Sequence, residues 1–214
     1  MISILIADDH AIVRSGLKQI IATTADIEVT GEAAQGAEVI EKLRIWRVDL
    51  LLLDMTMPGI SGVDLIRRVR TEYPALPVLV LSIHNEAQVV ARAVRAGATG
   101  YVTKDSDPDI LLAAIRKLAG GGRFIDPKLV DVMVFDTHSS DAAPHEILSD
   151  REFQVLHLLA AGKSINAIAE VLVLSAKTIS THKMRLMQKL GIENNAELIR
   201  YAIKHGLTSE RDRS

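Results

Sequence analysis

The stretch Leu50-Leu51-Leu52-Leu53-Asp54 decides how the first half of this chain folds. The run is apolar without a break and ends in a carboxylate, and Met55-Thr56-Met57-Pro58-Gly59 follows it. It therefore predicts a buried central strand that stops at a loop. We then expect Asp54 at the carboxyl end of a parallel strand, the sheet edge at which open α/β folds bind ligands. A single aspartate before a proline can also simply cap a turn, so the other strand ends decide between the two interpretations.

The composition bounds the class of protein. The chain has 214 residues, 48% of them hydrophobic, and a formal net charge of −2, which excludes a disordered chain and allows one large or two small domains. Residues 146–208 hold eight Lys/Arg and six Asp/Glu, so the C-terminal part of the chain is mildly basic and the N-terminal part is mildly acidic. There is no cysteine, which excludes disulfides and thiolate metal sites. No apolar run reaches membrane-spanning length, and we expect a soluble cytoplasmic protein without a membrane partner.

Strand and helix patterns alternate five times within the first 120 residues. The expected strands are 2–7, 27–31, 50–54, 78–82 and 100–103, and the expected helices are 12–21, 37–44, 63–69, 86–95 and 108–118. Such alternation implies right-handed crossovers and helices on both faces of a parallel sheet. We predict an α/β doubly wound fold with a five-stranded parallel sheet.

Polar side chains end four of these strands. Asp8 and Asp9 follow the first strand, Asp54 ends the third, Ser82 ends the fourth and Lys104 follows the fifth. Each has an ordinary explanation as a cap or loop residue, but their coincidence at one sheet edge favours a common pocket. Crowded carboxylates call for a hard cation, for which Mg²⁺ fits best. Asp54 could then be the nucleophile that forms an aspartyl phosphate, with Lys104 and the metal offsetting the charge of the phosphoryl group.

These residues give the first 120 positions a family resemblance. The motifs are Ala7-Asp8-Asp9-His10, Leu53-Asp54-Met55-Thr56-Met57-Pro58-Gly59-Ile60-Ser61-Gly62, Val80-Leu81-Ser82 and Ala96-Gly97-Ala98-Thr99-Gly100-Tyr101-Val102-Thr103-Lys104. They resemble the receiver domain of two-component response regulators, which has a flavodoxin-like fold. The resemblance implies that Asp54 is the phosphoacceptor and takes its phosphate from a sensor histidine kinase. It also implies a protein that catalyses only its own phosphoryl transfer and dephosphorylation.

The resemblance assigns further roles within the pocket. The implied Mg²⁺ ligands are Asp9, Asp54 and the backbone carbonyl of Thr56, with Asp8 assisting. Ser82 is expected to hydrogen-bond the phosphoryl group and Lys104 to pair with it. Tyr101 matches a switch aromatic that turns inward when Ser82 moves, although an ordinary half-buried strand tyrosine fits the sequence equally well. Ile83 departs from the family pattern, in which a small residue often follows the serine.

A change of composition separates the two halves of the chain. Gly120-Gly121-Gly122 ends the fifth helix, and Asp126-Pro127 opens another helical pattern. Residues 137–144 are small, polar and unpatterned, as in a tether. We predict a receiver domain over 1–120, a linker with a helix over 121–146, a helix-turn-helix domain over 147–208 and a tail over 209–214.

From Leu148 onward only helical periods occur. Ser149 and Glu152 have the spacing of a capping box, and Asn195 is expected to cap the last helix. The predicted helices run from that capping box to Gly162, over 165–172, from Ser175 to Gly191 and from Asn195 to Gly206. This is an all-α unit of four helices, whose second and third fit a helix-turn-helix. A generic four-helix unit with a solvated basic face fits the periodicity as well.

A second resemblance covers residues 147–207. The motifs are Leu148-Ser149-Asp150-Arg151-Glu152, Gly162-Lys163-Ser164, Ile168-Ala169, Ser175-Ala176-Lys177-Thr178-Ile179-Ser180-Thr181-His182 and Lys189-Leu190-Gly191. They are similar to the LuxR-type helix-turn-helix of the NarL/FixJ class, in which the third helix enters the DNA major groove and the fourth supports a dimer. The implied DNA-facing residues are Lys177, Ser180, Thr181, Lys183 and Arg185, with Lys189 contacting phosphate. Ser180 and Met184 stand where many relatives have lysine, so the base preference does not transfer.

Together these features predict a phosphorylation-activated DNA-binding transcriptional regulator of a two-component system. We expect a homodimer on an inverted repeat of double-stranded DNA. A haloacid dehalogenase-like phosphatase would need an acid two residues after its nucleophile, and this chain has Thr56 there. A receiver tethered to a protein-binding helical module is the other alternative, and a DNA-binding assay distinguishes it.

Overall fold

The computed structural model describes residues 1–83, 85, 87–130, 148–172, 174–205 and 207. The chain divides into two compact units, Met1–Asp136 and Thr137–Ser214. The strands of the first unit are β1 (Ile2–Ala7), β2 (Ile27–Ala33), β3 (Leu50–Asp54), β4 (Val78–Ser82), β5 (Gly100–Thr103) and β6 (Phe124–Ile125). They form one parallel sheet in the order β2-β1-β3-β4-β5-β6. The predicted doubly wound α/β fold is confirmed.

Helices connect successive strands of this sheet. They are α1 (Ala11–Ala22), α2 (Gly36–Ile45), α3 (Gly62–Glu72), α4 (Ala87–Ala96) and α5 (Pro108–Ala119). The start that we predicted for α4, Glu86, lies outside the described residues. Every residue of β3 is buried. Leu51 and Leu53 belong to one hydrophobic cluster, whereas Leu50 and Leu52 belong to another. Alternate side chains thus enter two cores, which explains the unbroken apolar run.

The predicted count of five strands is one short. β6 pairs in parallel with β5, so that Gly100 lies opposite Phe124 and Tyr101 opposite Ile125. A strand of two residues is too short to show a period of two, which is why the pattern did not reveal it. The sheet therefore extends beyond residue 120. Residues 127–130 are helical. The rest of the predicted linker helix, the tether over 137–144 and the tail over 209–214 lie outside the described residues.

The second unit contains the four predicted helices. They are α6 (Asp150–Ala160), α7 (Ile165–Val171), α8 (Ala176–Leu190) and α9 (Asn195–Lys204). The capping box is confirmed, because the Glu152 backbone N–H donates to Ser149 Oγ at 3.4 Å and Ser149 N–H donates to the Glu152 carboxylate at 2.7 Å. The predicted cap of α9 is wrong by one residue. Asn194 caps it, accepting from the Glu197 N–H at 3.0 Å.

Within the described residues, no helix combines the length and the apolar character that a membrane crossing requires.

Candidate functional site

The carboxyl ends of the central strands meet at one edge of the first unit. Ala7 pairs with Leu53, and Asp54 pairs with Leu81, so the residues that end β1, β3 and β4 lie side by side. Potential ligand atoms of Asp8, Asp9, His10 and Asp54 all lie within 4.8 Å of one another. Asp8 and Asp54 are buried, and Asp9 keeps a quarter of its side chain exposed. The predicted acidic pocket is therefore present.

Lys104 neutralises part of this charge. Its Nζ donates to Asp8 Oδ2 at 2.7 Å and lies 3.2 Å from Asp54 Oδ2. Burial lowers the pKa of Lys104, but the carboxylates of Asp54 and Asp8 outweigh that effect and raise it. The lysine is thus a fixed positive charge between the two buried acids.

Asp54 has an unusually high pKa for an aspartate. The pKa of Asp54 is raised from 3.8 to about 6. Burial is the largest cause, the positive charge of Lys104 opposes it, and the negative charge of Asp8 adds to it. A hydrogen bond from the Thr56 backbone N–H also favours the charged form. At neutral pH the side chain is therefore mostly a carboxylate, but one that a further positive charge would stabilise.

Two oxygens of the pocket fit a bound cation. Asp54 Oδ2 and Asp9 Oδ1 are buried and fail strict hydrogen-bond geometry within the described part of the chain, although Lys104 Nζ lies 3.2 Å from the first and His10 Nδ1 lies 2.8 Å from the second. Buried polar atoms without hydrogen bonds are costly in a native fold. Carboxylate oxygens are the donors that Mg²⁺ prefers. The arrangement fits this ion, while ligation by the Thr56 carbonyl remains a prediction.

The two residues predicted to report the state of the pocket lie beside it. Ser82 is buried at the end of β4, and its carbonyl accepts from the Lys104 N–H at 2.8 Å. Tyr101 on β5 is fully buried in a hydrophobic cluster that also contains Val90 of α4. The half-buried tyrosine of the ordinary interpretation is therefore not what the structure contains. The switching role of Tyr101 stays a prediction.

Helix α8 carries the residues predicted to contact DNA. Lys177, Ser180 and Arg185 are exposed, and Thr181 and Lys183 are partly buried. The helical period brings residues 177, 180, 181 and 184 to one face, which Ile179 and Leu186 oppose from the core side. The Ser180 and Thr181 hydroxyls donate to the carbonyls of Ala176 and Lys177, at 2.9 and 3.0 Å. At the same period Lys183 and Arg185 fall on the two opposite flanks of this face.

Lys189, the predicted phosphate contact, has a partner within its own unit. Its Nζ donates to Glu152 Oε2 at 2.6 Å. Glu152 is buried, and its pKa is lowered because hydrogen bonds from Lys189 and Ser149 outweigh the opposing effect of burial, which is the largest single contribution. A contact with DNA phosphate would have to share or replace this ion pair, so we keep the contact only as a prediction.

Comparisons with known proteins cover both units. Residues 4–116 match the family model of the response regulator receiver domain. The chain belongs to the response regulator family. Residues 146–202 of this response regulator match bacterial regulatory proteins of the luxR family, which places it in the NarL/FixJ class.

Curated relatives match this response regulator over nearly its whole length. UvrY of Escherichia coli strain K12 is 34% identical over 209 residues, covering 97% of this chain and 96% of UvrY. The oxygen regulatory protein NreC of Staphylococcus aureus strain JH9 is 38% identical over 212 residues, covering 95% of this chain and 98% of NreC. RcsB from Salmonella enterica serovar Typhimurium has been solved bound to promoter rprA in the presence of the phosphomimetic BeF3−. That structure has a TM-score of 0.65 at 29% sequence identity, and the match covers 94% of this chain and 98% of the RcsB chain.

Several residues of the two sites were not predicted from the sequence. His10 reaches the pocket, and its position directly after the two aspartates was the available signal. Glu152 was predicted as a capping residue, but its pairing with Lys189 spans 37 positions and leaves no local pattern. Asp126 was noted only as the start of a helix, although its buried side chain contacts the loop after β5.

Proposed function

We propose that this response regulator accepts a phosphoryl group on Asp54 and that the modification controls DNA binding by its second unit. The observation that carries the proposal is the buried Asp54 carboxylate, which lies among Asp8 and Asp9 and whose Oδ2 is 3.2 Å from Lys104 Nζ. Perturbed ionisable groups gathered in one pocket are typical of functional sites. The donor would be the phosphohistidine of a sensor histidine kinase, as the family implies.

The transfer needs a nucleophile and a counter-charge. An oxygen of the Asp54 carboxylate forms a bond to phosphorus, and the bond between phosphorus and the donor atom breaks, with its electron pair leaving on the donor. Asp54 has to be ionised for this attack. Lys104 can keep its proton throughout and offset negative charge on the phosphoryl oxygens, while the Ser82 hydroxyl is the proposed hydrogen-bond donor to one of them.

A divalent cation completes the proposed pocket. Asp9 and Asp54 would hold Mg²⁺, together with the Thr56 carbonyl, and Asp8 would assist. When bound, the ion supplies positive charge that stabilises both the phosphoryl oxygens and the crowded carboxylates. The clustering of carboxylate oxygens of Asp8, Asp9 and Asp54 within 4.8 Å of one another supports this assignment.

The second unit would deliver the output. We propose that α8 enters the major groove of double-stranded DNA, with Lys177, Ser180, Thr181, Lys183 and Arg185 facing it. The exposed basic and hydroxyl side chains of α8 support this role. RcsB, a relative of known structure, has been solved as dimers bound to DNA. By that analogy we propose a homodimer on an inverted repeat. Because the DNA of bacteria lies in the cytoplasm, we propose that the protein works there.

Phosphorylation would act through a two-state element. Ser82, Tyr101 and α4 are the proposed members, since Ser82 ends β4 just before α4 and Tyr101 packs in the same hydrophobic cluster as Val90 of α4. A phosphoryl group favours whichever arrangement it contacts better, and that preference shifts the population of the whole element.

Labelling with a small donor tests the acceptor assignment. The intact protein is incubated with acetyl phosphate and Mg²⁺, and the phosphorylated fraction is followed by intact-mass spectrometry. We expect a single phosphorylation in the wild type and none in Asp54→Asn. Exposed Asp107→Asn serves as the matched control and should label like the wild type. Undiminished labelling of Asp54→Asn would refute the assignment.

A further inference from the structure

Asp126 is a buried acid with no role in the phosphoryl transfer proposed above. It follows β6 directly, precedes Pro127 and is only 1% exposed. Burying a carboxylate is unfavourable unless hydrogen bonds compensate for the lost water. The partners of Asp126 therefore indicate what the side chain is for.

One carboxylate oxygen of Asp126 binds the loop that carries Lys104. Oδ2 accepts from the Thr103 backbone N–H and from the Thr103 hydroxyl, both at 3.4 Å, and also from the Ser106 hydroxyl. Thr103 Oγ1 and Ser106 Oγ are themselves 2.7 Å apart. These partners lie one residue before Lys104 and two residues after it. The carboxylate thus holds the backbone just before the pocket lysine and a side chain just after it.

The other carboxylate oxygen of Asp126 binds the helical turn that follows β6. Oδ1 accepts from the Lys128 N–H at 3.0 Å, and the Lys128 ammonium donates to the Asp105 carbonyl at 3.3 Å. The Asp126 N–H donates to the Tyr101 carbonyl at 2.9 Å. One residue therefore joins the Lys104 loop, the strand of Tyr101 and the first turn after β6.

A second aspartate of the chain has the same local sequence context as Asp126 and allows a comparison. Asp107 also precedes a proline at the start of a helix, but it is exposed, and its side chain makes no capping hydrogen bond. An aspartate before a helical proline therefore does not need burial or four donors. What distinguishes Asp126 is the loop that it reaches through Thr103 and Ser106.

We propose that Asp126 is a positioning residue for phosphoryl transfer, which holds Lys104 against the phosphoryl oxygens by tying down both sides of its loop. This inference rests on the proposed function of Asp54. In the transfer the Asp54 oxygen bonds to phosphorus while the acetate oxygen of acetyl phosphate departs with its bonding electrons. Lys104 keeps its proton and has to stay close to the charge that develops. If the loop is mobile, the contact between Lys104 and the phosphoryl oxygens is weakened.

The test compares Asp126→Asn with the matched control Asp107→Asn. Asparagine can still accept from the Lys128 N–H, but its NH₂ cannot accept from Thr103 or Ser106. With acetyl phosphate and Mg²⁺, we expect Asp126→Asn to be phosphorylated more slowly by on the order of tenfold, since small displacements of a charge-stabilising group cost that much. Asp107→Asn should match the wild type.

A double-variant cycle separates positioning from a merely structural role. If Asp126 acts through Lys104, adding Asp126→Asn to Lys104→Ala slows labelling little beyond Lys104→Ala alone. If the two losses multiply in full, or if Asp126→Asn labels at the wild-type rate, the inference is overturned. Should Asp126→Asn fail to fold, Ser106→Ala keeps the acid and removes one donor. We expect it to be slowed severalfold, and a wild-type rate would count against the inference. Absence of labelling in the wild type would instead refute the proposed function itself.

Discussion

Replacing Asp54 by asparagine is expected to stabilise the first unit in the absence of metal. Burial is the main reason that the pKa of Asp54 rises from 3.8 to about 6, a change of about two units. Since each unit corresponds to about 1.4 kcal/mol, keeping the side chain ionised at neutral pH costs the folded state about 3 kcal/mol. Asparagine has nearly the same shape as aspartate but carries no charge, so Asp54→Asn should recover most of that free energy.

The size of this stability difference depends on pH, within a window that the two pKa values define. Above pH 6 the folded wild type holds the charged carboxylate, and the variant is the more stable protein. As the pH falls from about 6 towards 3.8, the wild type takes up a proton on folding, and its disadvantage shrinks. Below that window Asp54 is protonated in both states, and the two proteins should unfold with the same free energy.

Urea unfolding in the presence of a metal chelator measures this difference. Trp46 is the single tryptophan of the chain and packs against Gly31 in the first unit, so its fluorescence reports the unfolding of that unit. Mg²⁺ should reduce the difference in unfolding free energy between the two proteins. The ion binds the folded wild type, and tighter binding stabilises that protein more. Asp107→Asn controls for the loss of an exposed charge. A variant that is no more stable than the wild type at pH 8, or a difference that does not shrink towards pH 4, would refute this explanation of the pocket.

Two further changes test the second unit. Glu152→Gln removes the charge that pairs with Lys189 at 2.6 Å, and we expect it to weaken the unit by about 1–3 kcal/mol, measured as faster amide exchange in α6 of the intact protein. Because the pKa of Glu152 is lowered from 4.5, its stabilisation is present above that pH and is lost as the pH falls below it; equal exchange at pH 7 would contradict the assignment. Lys183→Ala should weaken binding to all DNA sequences alike and reduce the salt dependence by about one counterion, and unchanged affinity at low salt would remove Lys183 from the interface.

The sequence predicted the sheet and the pocket because both leave local patterns. β3 is buried on both faces, so every position from Leu50 to Leu53 is apolar. In a parallel sheet the strand ends necessarily meet at one edge, and their polar residues can therefore be grouped from the order of the strands alone. The proximity of Lys104 to Asp8 and Asp54 follows from that topology.

Features that depend on pairing across the fold could not be predicted in this way. β6 has two residues, too few for any periodicity, and its existence depends on the free edge of β5. The loop partners of Asp126 lie 20 or more positions earlier in the chain. Asn194 and Asn195 are locally equivalent as caps, and the side-chain contacts with Glu197 select the first of them.

Lys189 shows a contact that a local pattern leaves out. The family resemblance implies that it contacts DNA phosphate, and that contact stays a prediction. The buried carboxylate that it pairs with belongs to α6, and charge counting along α8 cannot reveal such a partner.

The proposed control of DNA binding by Asp54 is tested by measuring DNA affinity with and without the phosphodonor. The intact wild type and Asp54→Asn are each incubated with Mg²⁺, with or without acetyl phosphate, and binding is measured on sequences that the phosphorylated wild type selects from a random pool. We expect the donor to raise the affinity of the wild type by about tenfold or more, on the order of the usual coupling between two sites, and to leave Asp54→Asn unchanged. Equal affinities for the wild type with and without donor, at full phosphorylation, would contradict the proposal.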